Sequence, residues 1–475
     1  MCGVFGFWSR NRPVADICYL GLFALQHRGQ ESAGIAVTDG MHIDAEKGAG
    51  LMTEAFKNRR PSLEGHCGIG HVRYSTFGGS SFTNIQPFLA ASGNGFISLA
   101  HNGNLNNARK IRASLEGEGL VFQSTSDSEV MLNLIAGAAE PTAEERILSS
   151  LARVEGAYSL VIMTGGKLVG VRDPHGFHPL CLGRLDDGYV LSSETCALDA
   201  VGAEFVRDVR PGEVLVADSG GIRSYSLPPR EKRSVCVFEY IYFARPDSDI
   251  DGLNVWKARH AMGRRLAGEY LEKRGPGSAD IVVPVPDTGI AAAIGFAAES
   301  GIPYAEGLIK NRYVGRTFIL PEQKARRTTV EMKLNPIREN LRGRRVVLID
   351  DSIVRGTTSA RLIELLRSAG AAEVHMCVSS PPITHPCYYG IDTSIRKELI
   401  AASLTGEEIG RRIGTDSLHY ISLNGLLEAV QPEAVRPEAI RPDGLCTSCF
   451  NGRYPTDVSE CVMESNGLEP RGSSC

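Results

Sequence analysis

The chain is poor in several things, and each shortage closes off a class of function. Only two of its 475 residues are tryptophan, and aromatics make up 7%. The 51 Lys and Arg nearly balance the 55 Asp and Glu, leaving a net charge of −4. No basic surplus would draw such a chain to nucleic acid. No apolar run reaches the ~20 residues that a bilayer span needs. The leading segment MCGVFGFWSRNRP lacks a basic stretch followed by a signal-length apolar core. The expectation is a soluble cytoplasmic protein whose partners are neither nucleic acid nor membrane. Cysteine is present at 12 residues, and in a reducing compartment these are thiols or metal ligands rather than disulfides. Cys18, Cys67, Cys181, Cys196 and Cys377 have apolar or small neighbours and are expected to be buried packing residues. The length predicts two domains and a tail.

The stretch VVLIDDSIVRGTTS, 346–359, carries the strongest local signal. Val346, Val347, Leu348 and Ile349 suit a strand buried on both faces of a parallel sheet. Asp350 and Asp351 stand where that strand ends. Arg355, Gly356, Thr357 and Thr358 lead into the apolar-periodic segment SARLIELLRSAG, with Gly370 as its C-cap. A Gly-Thr-Thr turn at a helix N-terminus offers N–H groups, hydroxyls and the positive dipole end to a phosphate. Two carboxylates before it can take vicinal hydroxyls or stand near hydrated Mg²⁺. Together these describe a ribose-phosphate site; the plainer alternative is an ordinary turn with solvated aspartates. The stretch resembles the phosphoribosyl-diphosphate (PRPP) signature of type I phosphoribosyltransferases. That resemblance implies that the acidic pair faces the ribose hydroxyls and that the loop grips the 5′-phosphate.

Cys2 follows Met1 directly. If Met1 is removed, its α-amine, titrating near ~7.7–8.0, can act as base for its own thiol. The opening CGVFGF resembles the start of class II, N-terminal-nucleophile glutamine amidotransferases. So do LQHRGQESAGIAV with Arg28 and Gly29, GHVRYSTFG with Arg73 and Thr76, LAHNGNLNN with Asn102 and Gly103, and STSDSEVMLNLIAG with Asp127. The last begins as a capping box from Ser126 to Glu129. The resemblance implies Cys2 as nucleophile, and Asn102 and the Gly103 N–H as oxyanion donors. It implies Arg73 on the glutamine carboxylate, Asp127 on its ammonium, and Arg28 and Thr76 beside them. Taken singly these residues also have bland readings: a surface ion pair, a helix first turn, a turn dipeptide. RDPHGFHPL departs from the family's usual motif, which has Arg where His178 stands.

From Ala152 to about Ser226, short β-like runs alternate with turns and predict an antiparallel layer. SYSLPPREKRS, 224–234, reads as the domain junction. CVFEYIYFARPDS has aromatics suited to core packing. VWKARHAMGRRLAGEYLEK is a basic helix expected to cover the sheet. In IVVPVPDTGIAAAIGFAAES a second strand-loop-helix places Thr288, a candidate Mg²⁺ ligand with Asp350 and Asp351. GLIKNRYVGRTFI contributes Lys310, Arg312 and Arg316, and the basic segment PEQKARRTTVEMKLNPI, with Lys324, Arg326, Arg327 and Lys333, reads as a lid or as a solvated loop. The PRPP site is taken to include Lys324. The QPEAV-RPEAI-RPDGL pentads read as a Pro-punctuated linker.

CTSCF supplies Cys446 and Cys449, with Cys236 and Cys387 far off in sequence. By spacing alone, such thiols suit a 4Fe–4S cluster or a structural zinc. The surrounding segments are similar to the iron–sulfur type of glutamine PRPP amidotransferases, which implies one structural cluster on these four residues. The resemblance covers nearly the whole chain. It implies an αββα four-layer N-terminal-nucleophile hydrolase sandwich followed by a doubly wound parallel-sheet phosphoribosyltransferase domain. The division is 2–230, 231–460 with the cluster-binding arm, and a polar tail 461–475. The implied reaction moves ammonia from glutamine to PRPP in purine biosynthesis, with one Mg²⁺ per subunit. Purine nucleotides are implied as feedback inhibitors, and a tetramer as the assembly.

Overall fold

The computed structural model describes residues 1–74, 81–93, 95–229, 232–311, 334–431 and 444–465. Thr76, Arg312, Arg316, the expected lid segment as far as Lys333, with Lys324, and nearly all of the Pro-rich linker lie outside them.

The first half is built on two antiparallel sheets. One runs Glu204–Asp208, Cys181–Leu185, Gly188–Ser192, Gly3–Trp8, Cys67–Arg73, Ser32–Thr38, Ile43–Ala49. The other runs Gly221–Ser226, Glu213–Asp218, Lys167–Arg172, Gly156–Thr164, Gly95–Leu105, Phe88–Ser92. The period-2 alternation of a strand explains how each sheet serves two layers. Along Gly3–Trp8, Val4 and Trp8 meet Val161, Met163 and Leu168 between the sheets. Phe5 and Phe7 turn the other way, onto the helix Val14–Ala24. On the far side, helices Ala108–Gly117, Asp127–Ala136 and Ala143–Leu151 cover the second sheet through Ile111, Leu132 and Ile147. The result is the four-layer αββα sandwich that the resemblance implies.

Two local expectations are corrected. The strands between Ala152 and Ser226 do not form one layer: Cys181–Leu185, Gly188–Ser192 and Glu204–Asp208 join the first sheet, the others the second. The crossing is made by the 173–180 segment, where Asp173 accepts from the His175, Gly176 and Phe177 N–H groups. There is also no capping box at 126–129. Ser126 caps Ser128 N–H, but Glu129 reaches past it to the N–H groups of Gln123 and Ser124.

The second half centres on four parallel strands, in the order Ile281–Pro284, Arg345–Asp350, Glu373–Val378, Ser417–Tyr420. The apolar run before Asp350 is fully buried, as its composition predicts. Val347 and Ile349 pack with helices Val255–Arg274 and Ile290–Ser300. Val346 and Leu348 pack with Thr357–Ser368 and Gly406–Ile413. Helices on both faces make the sheet doubly wound. A short parallel pair, Val235–Cys236 with Leu445–Cys446, ties the C-terminal arm back to the start of this half. Cys461, assigned by sequence to the tail, lies in the helix Ser459–Ser465 and is buried, with Asn106 Nδ2 donating to its Sγ. All the cysteines among the described residues are free thiols, and the five expected packing cysteines are buried.

Candidate active site

Cys2 stands at the mouth of the first sheet. Its backbone N donates to Asn102 Oδ1 at 3.0 Å, and its thiol lies 3.6 Å from the Tyr74 carbonyl. Asn102 is fully buried, and its Nδ2 has no partner among the described residues. A buried donor left unpaired is costly, and it is what an oxyanion arriving at Cys2 requires. The two ends of the Asn102 amide therefore suit two tasks, one holding the Cys2 nitrogen and one awaiting developing charge. Gly103 follows with φ +150°; a Cβ there would lie 2.0 Å from the Ala157 carbonyl, so only glycine fits. Asp127 opens its helix and accepts from Leu105 N–H at 3.0 Å, with His101 Nδ1 at 3.9 Å. Its carboxylate thus brackets the strand that carries Asn102 and Gly103. Arg73 ends the strand Cys67–Arg73, buried, one residue before the Tyr74 carbonyl that meets the thiol.

Arg28 does more than the sequence predicts. Its Nε donates to the Cys2 carbonyl at 2.9 Å, and its other nitrogens bridge Glu194 at 2.6 Å and Glu239 at 2.8 Å. All three side chains are fully enclosed. Burial pulls the guanidinium pKa down, but the two carboxylates outweigh it and raise it. Both glutamates are held below the usual carboxylate range, because Arg28 together with His27 or His178 overcomes their desolvation. Glu194 also accepts from Arg245 N–H and Ser248 Oγ. Neither glutamate was among the sequence-predicted residues. Glu239 lies 211 positions from Arg28, inside the run expected to be plain aromatic core. A lone carboxylate amid apolar residues was the available signal. His178, whose departure from the motif left its role open, places Nε2 2.7 Å from the Tyr389 carbonyl and Nδ1 3.3 Å from Glu239.

In the second half, Asp350 ends its strand and Gly356 takes φ +77°, turning the chain into the helix Thr357–Ser368. Gly370, at φ +97°, closes that helix as expected. Asp350 and Asp351 are buried, and both carboxyls are pushed up. For Asp350 the cause is burial and then the neighbouring charge of Asp351. For Asp351 burial is partly offset by hydrogen bonds from Ser352 and Thr288. The Thr288–Asp351 hydrogen bond joins the two phosphate-type loops. Such a pair is relieved by a cation or by hydroxyl donors. Arg355 turns outward to an exposed pair with Glu398. Arg259 was missed by the sequence reading: it is buried, donates to the Tyr240 and Ala244 carbonyls, and its charge acts on Asp351, Glu194 and Glu239.

A cavity of about 370 Å³ is lined from both halves. Met1, Arg28 and Tyr74, the neighbours of Cys2, line it from the first half, and Tyr242, Thr288, Asp350, Asp351 and Gly356–Thr358 from the second. A larger open cleft of about 1090 Å³ holds none of the predicted residues.

Cys236, Cys387, Cys446 and Cys449 are all buried. Burial raises their thiols, and neighbouring thiols among the set add to it for Cys236, Cys387 and Cys449. Among the described residues, no three His, Cys, Asp or Glu side chains converge tightly enough to hold a single metal ion.

Fold and site define a class II glutamine amidotransferase domain joined to a phosphoribosyltransferase domain. Family models agree: a glutamine amidotransferase domain matches residues 71–200 and a phosphoribosyl transferase domain residues 249–393. The amidophosphoribosyltransferase of Archaeoglobus fulgidus is 52% identical over 96% of this chain and 98% of its own length. That of Bacillus subtilis is 50% identical over 96% and 94%. A solved structure of glutamine PRPP amidotransferase from B. subtilis, complexed with ADP and GMP, superposes with a TM-score of 0.88 at 49% identity, covering 96% of this chain and 98% of that one. The chain belongs to the amidophosphoribosyltransferase family.

Proposed function

We propose that this chain makes 5-phosphoribosylamine, glutamate and diphosphate from glutamine, PRPP and water, the first committed step of purine synthesis. The observation that carries the reading is the shared cavity, with the Cys2 environment at one side and the Asp350–Thr358 loop at the other. Relatives named for this activity match nearly the whole chain.

Once Met1 is removed, Asn102 Oδ1 holds the Cys2 α-amine, which takes the thiol proton. The thiolate attacks the glutamine side-chain amide. Asn102 Nδ2 and Gly103 N–H receive the oxyanion. Arg73, Asp127 and Thr76 hold the amino-acid end, and Arg28 fixes the Cys2 carbonyl. Ammonia leaves a γ-glutamyl thioester for water to cleave. It passes through the cavity to C1 of the ribose, displacing diphosphate. Asp350 and Asp351 take the ribose hydroxyls, Gly356, Thr357 and Thr358 the 5′-phosphate. Arg355 and Lys324 serve the same substrate. Thr288 with the two aspartates, an all-oxygen set whose charge asks for a cation, would hold Mg²⁺, which neutralises the leaving diphosphate.

The four buried thiols suit one structural 4Fe–4S cluster, pinning the C-terminal arm. Feedback by purine nucleotides is supported by the ADP and GMP named with the B. subtilis structure. A homo-oligomer and a cytoplasmic location complete the reading; no helix among the described residues is long and apolar enough to cross a membrane.

The test is glutamate release from glutamine by anaerobically purified protein, with and without PRPP and Mg²⁺. Strong stimulation by PRPP is expected. Cys2→Ser should abolish glutamine-dependent synthesis and leave ammonia-dependent synthesis intact. Loss of both activities in that variant, or none in the wild type, would overturn the assignment.

A further inference from the structure

We infer that the loop Cys387–Gly390, from the phosphoribosyltransferase half, is a positioning element for the oxyanion hole of the glutaminase half. The inference rests on the glutaminase reading above and adds residues that take no part in its chemistry.

Three contacts converge on the segment that carries Asn102 and Gly103. First, Gly390 lies against the Gly103 backbone: a Cβ at Gly390 would stand 3.1 Å from the Gly103 carbonyl carbon and 3.3 Å from its Cα. Gly390 also holds φ +104°, which L side chains rarely adopt. Second, the Tyr388 carbonyl accepts from both Asn104 Nδ2 and Asn106 Nδ2, each at 3.1 Å. Both asparagines are buried, so these bonds are hard to replace with water. Third, the Tyr389 hydroxyl meets Thr456 Oγ1 at 2.9 Å, and Thr456 Oγ1 donates to Asn106 Oδ1 at 2.9 Å. Tyr389 itself stacks on Phe177 with ring centroids 4.1 Å apart, and its carbonyl accepts from His178.

The oxyanion glycine is therefore caught between its own sheet and another domain. On one side stands the Ala157 carbonyl, which leaves no room for a Cβ. On the other stands Gly390. The strand's own ladder fixes Gly103 opposite Tyr158, but the segment just beyond it ends on Tyr388 and Thr456. A shift of the 387–390 loop displaces the Gly103 peptide, and an oxyanion donor works only within tenths of an ångström of its mark. Because the donor acts in the transition state, the effect belongs to kcat rather than to glutamine binding.

Gly390→Ala and Thr456→Val test this in the full chain. The first presses on Gly103; the second removes only the hydroxyl that anchors Asn106. In each, glutaminase kcat should fall, about tenfold or more for Gly390→Ala and severalfold for Thr456→Val. The KM for glutamine, the rate of Cys2 alkylation by iodoacetamide and ammonia-dependent synthesis should stay within about twofold of wild type. Restoring the hydroxyl with Thr456→Ser should recover kcat. Wild-type glutaminase kcat in both variants overturns the inference, as does a parallel loss of ammonia-dependent synthesis, which would mark the contacts as structural only. If Gly390→Ala does not fold, Thr456→Val and Thr456→Ser decide alone. A wild type without glutaminase activity would fell the functional reading and this inference with it; an active wild type beside unaffected variants fells this inference only.

Discussion

At the scale of single residues, the molecule hangs on a few buried charges. Removing Arg28 strands Glu194 and Glu239 without their cation. Arg28→Met should cost about 3–5 kcal/mol of stability, the usual price of breaking one side of a buried pair, read by denaturant unfolding. The pH dependence has a definite sign. Both glutamates sit below their unfolded value of ~4.3, so their contribution is complete above that pH and drains away as pH falls through the depressed values. Wild type should therefore lose melting temperature steeply below about pH 4. In Arg28→Met the two carboxylates lose the guanidinium they share, keep only their other partners and become easier to protonate, and acidification from neutral pH should stabilise. A variant that loses stability on mild acid as the wild type does would contradict the network. Asp350 shows the opposite case, with its carboxyl pushed up by burial and by Asp351. Asp350→Asn should abolish PRPP-dependent synthesis yet raise the melting temperature, about 2–4 °C for each kcal/mol relieved in a domain of this size. A lower melting temperature would show that the pair is not strained.

At the scale of elements, the strand-loop-helix unit from Arg345 to Ser368 places the second site. Its strand is apolar on both faces because helices cover both, and the turn at Gly356 sets the helix N-terminus toward the cavity. A Cβ at Gly356 would approach Ile400 Cδ1 to 2.7 Å, in a backbone conformation that disfavours it. Gly356→Ala should raise the KM for PRPP about tenfold or more while leaving basal glutaminase activity in place, which steady-state kinetics on each half-reaction will separate. An unchanged KM would remove the 5′-phosphate from this turn. This unit was legible from sequence because everything that forms it is local: an apolar run, two acids, a glycine turn and a periodic helix. The Ser126–Glu129 capping box was misread for the converse reason. A glutamate three residues past a serine has two sets of N–H groups within reach, and here the loop ahead, at Gln123 and Ser124, takes it.

At the scale of the whole molecule, the two halves are joined through buried polar contacts as well as apolar packing. Arg28 to Glu239, His178 to Tyr389, and the asparagines to Tyr388 each run from one half to the other. The arm bearing Cys446 and Cys449 returns beside Cys236 and Cys387, which the sequence scatters over more than two hundred positions. Replacing any of these four with Ser should lower bound iron and acid-labile sulfide together, measured on anaerobic protein; full iron with one ligand replaced would remove that residue from the set. The sequence by itself determined the type of each domain and pointed to the nucleophile, oxyanion pair and PRPP loop proposed above, since each is written in contiguous residues whose chemistry depends on near neighbours. Only the tertiary structure decided which carboxylates hold Arg28, that one strand run divides between two sheets, that Arg259 is buried on the Tyr240 and Ala244 carbonyls, and that Gly390 of one domain abuts Gly103 of the other. Those facts depend on pairs of residues hundreds of positions apart, and a buried charge or a close backbone approach finds its partner only when the chain has packed.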